Sequence, residues 1–239
     1  MAKSTKNIDP RDRLIFALDV PDVDAAKALV EELGDSVTFY KIGLELNMSG
    51  RYFELLDWLV AQGKKVFVDL KFFDVPATVA SAVRNLRDRG VTFATIHGNQ
   101  SIMEAAAEAK GDVKILAVTV LTSLDRGDLD DLGFDVDVSK LVLSRARRSL
   151  ESGCDGVISS GLELPGLRSE VDDKLIVITP GIRPVENRPS DDQKRVVTPE
   201  QAFEDGADYI VVGRPIRNAE NPKAAAEGIQ ASIAKVFGS

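Results

Sequence analysis

Three charged residues stand in a spacing that suits proton-transfer chemistry: Asp69, Lys71 and Asp74, in the stretch Asp69-Leu70-Lys71-Phe72-Phe73-Asp74. The stretch closes an apolar run, Val66-Phe67-Val68, that reads as a buried strand. Side chains alternate along a strand, so Asp69 and Lys71 are expected on one face. Asp74 follows where the chain turns toward Pro76, which crowds an acid, a base and an acid at one strand tip. Charges kept where a strand should bury apolar groups point to chemistry more often than to packing. An inert ion-pair network is the competing reading, and Asp74 could instead cap the helix beginning near Pro76.

Short apolar runs at 14–20, 38–43, 65–70, 92–96, 113–120, 156–159, 175–179 and 209–212 read as the strands that must position these groups. Segments of helical period lie between them, among them 23–32, 52–61, 77–89 and 141–152. Asp22, Asn221-Pro222 and the capping-box pattern Thr198-Pro199-Glu200-Gln201 mark helix starts. Alternating strands and helices imply parallel pairing with right-handed crossovers. Eight such units in 239 residues predict an α/β fold, a single-domain (β/α)8 TIM barrel over 13–239, with a flexible N-terminal segment over 1–12. An open doubly wound sheet is the alternative. No G-x-G-x-x-G follows the first strand and no G-x-x-x-x-G-K-[ST] occurs, so dinucleotide and nucleoside-triphosphate readings lose their best support.

In such a barrel the chemistry sits at the C-terminal strand ends. Reading those ends in order gives Asp19; Lys41 with Gly43; Asp69, Lys71 and Asp74; Thr122 and Ser123; Gly181 and Arg183; then Gly213 and Arg214. The loops after the last two strands are where barrels hold phosphate. Gly213 permits close backbone approach there, and Arg183 and Arg214 supply cationic donors. The long segment 183–197 reads as a lid, with Gln193 inside it able to reach a bound phosphate. The single His97 has no cysteine or second histidine for company, so a metal site is not expected.

Bulk composition narrows the partners. Lys and Arg total 30 against 38 Asp and Glu, a net charge of −8, which argues against broad binding to nucleic acid or an anionic membrane. A pocket can still be locally cationic toward a small anion. The lone Cys154 rules out an intramolecular disulfide, and no run is apolar enough to span a bilayer, so a cytoplasmic location is expected.

These residues resemble the orotidine 5′-phosphate decarboxylases of the bacterial type, and the resemblance covers nearly the whole chain. The D-x-K-x-x-D signature is Asp69, Lys71 and Asp74, continuing Val75-Pro76-Ala77-Thr78. Phe16-Ala17-Leu18-Asp19, Tyr40-Lys41-Ile42-Gly43, Val120-Leu121-Thr122-Ser123, Thr179-Pro180-Gly181-Ile182-Arg183, Asp192-Gln193 and Val212-Gly213-Arg214-Pro215 match in order. The chain departs from the pattern after His97, where Gly98-Asn99-Gln100 stand, and in a slightly longer lid before Gln193.

The resemblance implies a cofactor-free decarboxylation of orotidine 5′-phosphate to uridine 5′-phosphate in pyrimidine biosynthesis, by a homodimer with shared sites. It implies Lys71 as proton donor, flanked by Asp69 and by Asp74 of the partner subunit. Asp19 and Lys41 would bind ribose, with Thr78 doing so across the interface. Thr122 and Ser123 would lie near the pyrimidine, and Arg183, Gln193, Gly213 and Arg214 would hold phosphate. A related barrel decarboxylase or aldolase of keto-sugar phosphates, using the same carboxylates to hold magnesium, is the nearest rival. A barrel that only binds a phosphorylated metabolite is the other, although binding alone needs no lysine buried between acids.

Overall fold

The computed structural model describes residues 3–184 and 196–238. Strands β1 (Leu14–Ala17), β2 (Phe39–Gly43), β3 (Lys65–Phe72), β4 (Val91–His97), β5 (Lys114–Val118), β6 (Gly156–Ile158), β7 (Ile176–Thr179) and β8 (Tyr209–Val212) form a closed barrel in sequence order. Every neighbouring pair is parallel, and β8 closes onto β1 through Leu14↔Ile210 and Phe16↔Val212. The helices are α1 (Val23–Leu33), α2 (Leu44–Met48), α3 (Tyr52–Ala61), α4 (Pro76–Arg84), α5 (Gln100–Ala109), α6 (Arg126–Asp131), α7 (Val138–Glu151), α8 (Leu164–Glu170), α9 (Pro199–Glu204), α10 (Arg214–Arg217) and α11 (Pro222–Phe237). The expected (β/α)8 barrel is the observed architecture.

Alternation along the strands sorts the core into two shells. Phe16, Tyr40, Val66, Val68, Ala94, Ile115, Val177 and Ile210 face the helices. Ile15, Phe39, Phe67, Phe93, Leu116, Ile178 and Tyr209 fill the barrel interior. There the rings interlock: Phe39 stacks on Phe93 at 5.3 Å between centroids, and Tyr209 and Phe67 meet Phe93 edge-on at 5.2 and 6.0 Å. Edge-to-face contacts suit the ring quadrupoles. This aromatic plug is a dry floor beneath the residues that follow on the same strand faces, Lys41, Asp69 and Thr95.

Helix starts follow the sequence signals. Asp22 accepts from the Ala25 N–H at 2.8 Å, and Asn221 from Ala224 at 2.9 Å. Thr198 accepts from Gln201 at 3.2 Å, but Gln201 turns its amide to Asp205 at 2.8 Å, so only half of the expected capping box forms. Helix α4 ends at Arg84 rather than at 89, because the chain passes into turns that use positive φ at Asp88 (59°) and Gly90 (74°). β1 and β5 are shorter than the apolar runs suggested, and β3 is longer.

The N-terminal segment expected to be flexible makes contacts with the barrel from Lys3 onward. Asp208, whose side chain is fully buried, accepts from Lys6 Nζ at 3.0 Å, Arg168 Nη2 at 2.8 Å, the Val177 N–H at 2.9 Å and Ser4 Oγ at 2.5 Å. Arg13 donates to the Asp208 carbonyl at 3.1 Å and lies 3.9 Å over the Phe237 ring. A buried carboxylate must be paired, and here the N-terminal segment supplies part of the pairing. Removing one partner of a buried pair strands the others, so Asp208→Ala should cost about 3–5 kcal/mol of unfolding free energy in urea titrations. A loss below about 1 kcal/mol would mean that this network does not tie the segment down.

Candidate active site

Strand β3 does not deliver Asp69 and Lys71 by simple alternation. Its pairing with β4 steps from Val68↔Ala94 to Phe72↔Ile96, so four residues of β3 advance against two of β4. Lys71 sits in that bulge with φ of 48°, a left-handed conformation costing a non-glycine residue roughly 1–2 kcal/mol. Strain of that kind concentrates at functional sites. The bulge brings Lys71 Nζ to 2.9 Å from Asp69 Oδ1.

The charges form a chain across three strand ends. Asp19 Oδ1 meets Lys41 Nζ at 3.0 Å, Lys41 Nζ lies 3.5 Å from Asp69 Oδ2, and Asp69 Oδ1 meets Lys71. Lys41 and Asp69 are largely out of water, so their contact is screened less than a surface pair, while Asp19 and Lys71 at the two ends of the chain remain partly exposed. Burial opposes ionisation of Asp69, but Lys41 and Lys71, with hydrogen bonds from Lys71 and Thr95, outweigh it and hold the carboxyl below its usual range. For Lys41, burial opposes the charge and is outweighed by Asp69 and Asp19, so its ammonium is held above the usual lysine range. Gly43 leaves room for this arrangement, since a Cβ there would stand 3.1 Å from Lys41 Nζ.

Two cavities share Lys41, Pro180 and Val211. The smaller, about 210 Å³, is lined by Asp69, Lys71, Thr122, Ser123 and apolar groups including Phe67, Val118 and Ile158. The larger, about 470 Å³, is lined by Asp19, Glu45, Arg183, Gly213, Arg214 and Arg217. One end is thus apolar with an acid–ammonium pair, and the other is rich in arginine beside the short helix α10. The expected residues Asp19, Lys41, Asp69, Lys71, Thr122, Ser123, Arg183, Gly213 and Arg214 come together here.

Asp74 and Thr78 do not join them within one chain, which corrects the expectation of three charges crowded at one tip. Asp74 is exposed, and its Oδ1 accepts from the Val75 N–H at 2.6 Å; Val75, not Asp74, occupies the N-cap of α4. Thr78 is also exposed. Gln193 lies outside the described residues. The flanks of its segment are clasped, with Arg183 donating to the Val197 carbonyl at 3.0 Å.

Sequence reasoning missed three lining or bonding groups. Arg217 follows Arg214 by three positions, a spacing that puts both on one helix face, and Glu45 opens α2. Thr95 carries the inward alternation of Phe93 and His97 to the level of Asp69, and its Oγ1 donates to Asp69 Oδ1 at 2.8 Å. His97 is half-buried, its ring centroid 4.6 Å from that of Phe73; burial, then Arg145, holds its pKa down. Cys154 is buried, which pushes its thiol up to about 12.

A (β/α)8 barrel with an alternating lysine–aspartate chain at its mouth and arginines after β7 and β8 defines an enzyme class acting on phosphorylated small molecules. Comparison with known proteins gives the particular family. The model of the orotidine 5′-phosphate decarboxylase / HUMPS family matches residues 12–229. Orotidine 5′-phosphate decarboxylase of Methylococcus capsulatus is 69% identical over 98% of this chain and 97% of its own. That of Xanthomonas axonopodis pv. citri is 51% identical over 98% and 96%. The crystal structure of the Lactobacillus acidophilus orotidine 5′-phosphate decarboxylase superposes with a TM-score of 0.81 at 35% identity, over 93% of this chain and 99% of that one. The chain belongs to the orotidine 5′-phosphate decarboxylase / HUMPS family.

The Asp69 ionisation is open to direct measurement. Because its folded pKa is depressed, its contribution to stability is present above the ordinary carboxylate range and is lost as pH falls through the folded value. Lys41→Met removes the foremost of the charges that hold it down. A carbon-13 titration of the Asp69 carboxyl should show ionisation below the usual range in the parent and a clear upward move in Lys41→Met. Identical titrations would refute the chain of charges.

Proposed function

We propose that this chain decarboxylates orotidine 5′-phosphate to uridine 5′-phosphate and carbon dioxide, the closing chemistry of a pyrimidine-nucleotide route, in the cytoplasm and as a homodimer. The observation that carries the reading is the Asp69–Lys71 pair, 2.9 Å apart on a strained bulge in a largely apolar pocket that opens into an arginine-lined cavity. A pyrimidine fits the first and a phosphate the second.

The reaction needs the C6–carboxylate bond to break with its electron pair left on C6, a carbon with no neighbouring carbonyl to delocalise it well. The Lys71 ammonium stabilises that developing charge and gives its proton to C6, and the neutral amine recovers a proton from solvent. Asp69 holds the ammonium in place. Its negative charge beside the substrate carboxylate also disfavours the bound ground state. Asp19 and Lys41 meet the ribose, while Thr122 and Ser123 flank the base. Arg183, Arg214, Gln193 and the Gly213 N–H take the phosphate, whose binding energy orients the distant reacting carbon.

The keto-sugar phosphate reading requires carboxylate oxygens free to hold magnesium. Both oxygens of Asp69 already face ammonium groups, so the geometry lends that rival no support.

Dimerisation is supported by apolar side chains left exposed after β2 and β3, those after β3 flanking Asp74. Phe73 and Val75 are each 62% exposed, and on the neighbouring connection Leu44 and Met48 are 59% and 80% exposed. Large apolar groups left in water, here on helix α2 and on the connection from β3 to α4, mark an association surface. A two-fold partner seated there would bring Asp74 and Thr78 to the other chain's pocket.

Arg214→Ala should lower kcat/KM for orotidine 5′-phosphate by about 2–5 kcal/mol and matter little for the nucleoside without phosphate. Equal proportional losses for both would remove Arg214 from the phosphate site.

Lys71→Ala and Asp74→Asn homodimers should each be nearly inactive with the fold retained. In a hybrid, one site collects both defects and the other neither. Random exchange at equal amounts makes about half the dimers hybrids and restores roughly a quarter of parent activity. Verified exchange with no recovery would contradict the shared site, and parent-level turnover by Lys71→Ala would remove Lys71 as proton donor.

A further inference from the structure

Thr95 stands on β4 at the level of the charged groups. It is fully buried on β4, directly above Phe93 on the inner face, and it is the β4 residue that stands opposite the bulge of β3. Asp69, Leu70 and Lys71 all lie between the paired positions Val68↔Ala94 and Phe72↔Ile96, so on the β4 side the ladder skips them, although Asp69 keeps its pairing with Gly43 of β2. The hydroxyl of Thr95 fills that gap. The Lys71 N–H donates to Thr95 Oγ1 at 3.0 Å, and Oγ1 donates to Asp69 Oδ1 at 2.8 Å. The same Oδ1 receives the Lys71 ammonium at 2.9 Å.

The three bonds close a ring: Lys71 backbone to threonine hydroxyl, hydroxyl to carboxylate, carboxylate to Lys71 side chain. Because the hydroxyl accepts from the amide, its own proton is directed at Asp69. We infer that Thr95 is a positioning residue for the reaction, its hydroxyl pinning the bulge that keeps Lys71 left-handed and aiming Asp69 Oδ1 at the Lys71 ammonium. This rests on the reading of Asp69 and Lys71 as the reacting pair. A left-handed lysine persists only where its surroundings over-determine it, and here the Thr95 hydroxyl holds the Lys71 amide directly and its ammonium through Asp69. Displacement of a reacting group by about 1 Å can cost on the order of a hundredfold in rate, which is why such a ring matters.

The test compares Thr95→Val, which keeps the shape and loses the hydroxyl, with Thr95→Ser, which keeps the hydroxyl. The readouts are kcat and KM for orotidine 5′-phosphate and the calorimetric Kd for uridine 5′-phosphate. Thr95→Val should lose about 10- to 100-fold in kcat while its product affinity stays within about threefold of the parent, and Thr95→Ser should restore kcat to within about threefold. A parent-like kcat in Thr95→Val overturns the inference. So does equal impairment of the two variants, or a fall in product affinity that matches the fall in kcat, which marks a merely structural hydroxyl. If Thr95→Val does not fold, Thr95→Ala takes its place under the same criteria. Lys71→Ala run alongside separates the two levels: parent-level turnover there defeats the reading of Lys71 itself, whereas a dead Lys71→Ala with a parent-like Thr95→Val defeats only the role of Thr95.

Discussion

The carboxylate of Asp69 is shared. One oxygen faces Lys71 and the hydroxyl of Thr95, the other faces Lys41, and the group is almost wholly out of water. An ion in that position is tolerated only if its partners are fixed, because its desolvation cost exceeds what any one loose contact returns. Much of the barrel mouth can be understood as what fixes them. β2, β3 and β4 must hold their register so that Lys41, Asp69 and Thr95 reach one level, and Gly43 must stay small so that Lys41 can lie across the gap.

The interior below makes that arrangement possible. Phe39, Phe67, Phe93 and Tyr209 fill the barrel with rings, so no solvent reaches the charges from beneath. At the opposite end, Asp208 gathers Lys6 and Arg168 and closes the floor with the N-terminal segment. The two networks divide the work of a (β/α)8 fold: conserving shape at the strand starts and performing chemistry at the strand ends. In the proposed reaction, an ammonium already held in place by a carboxylate is presented to a carbon that becomes negative, and the arginine-lined cavity supplies the grip that places that carbon.

The order of elements was legible in the sequence because parallel strands buried on both faces read as short apolar runs, and eight of them alternate with helical periods. Nearly all the mouth residues were legible too, since polar groups at the ends of such runs are conspicuous. Three things were not. The bulge of β3 was hidden, because two extra residues within a strand leave the hydrophobic pattern of its first half unchanged; alternation alone placed Asp69 and Lys71 together for an incomplete reason. The separation of Asp74 from Lys71 was hidden, because sequence proximity says nothing about where a loop turns once the strand ends. The contacts made by the start of the chain were hidden, because Ser4, Lys6 and Arg13 look like solvated polar residues until Asp208, about two hundred positions away, is seen beneath them.

The account stands most directly on one measurement: ultraviolet absorbance of orotidine 5′-phosphate after addition of the purified chain that has been stripped with a chelator and assayed in its presence. The account predicts a catalytic fall in absorbance, with uridine 5′-phosphate and carbon dioxide released in equal amounts, at a rate that added magnesium does not change. An unchanging absorbance, or turnover that appears only when magnesium is restored, would contradict it.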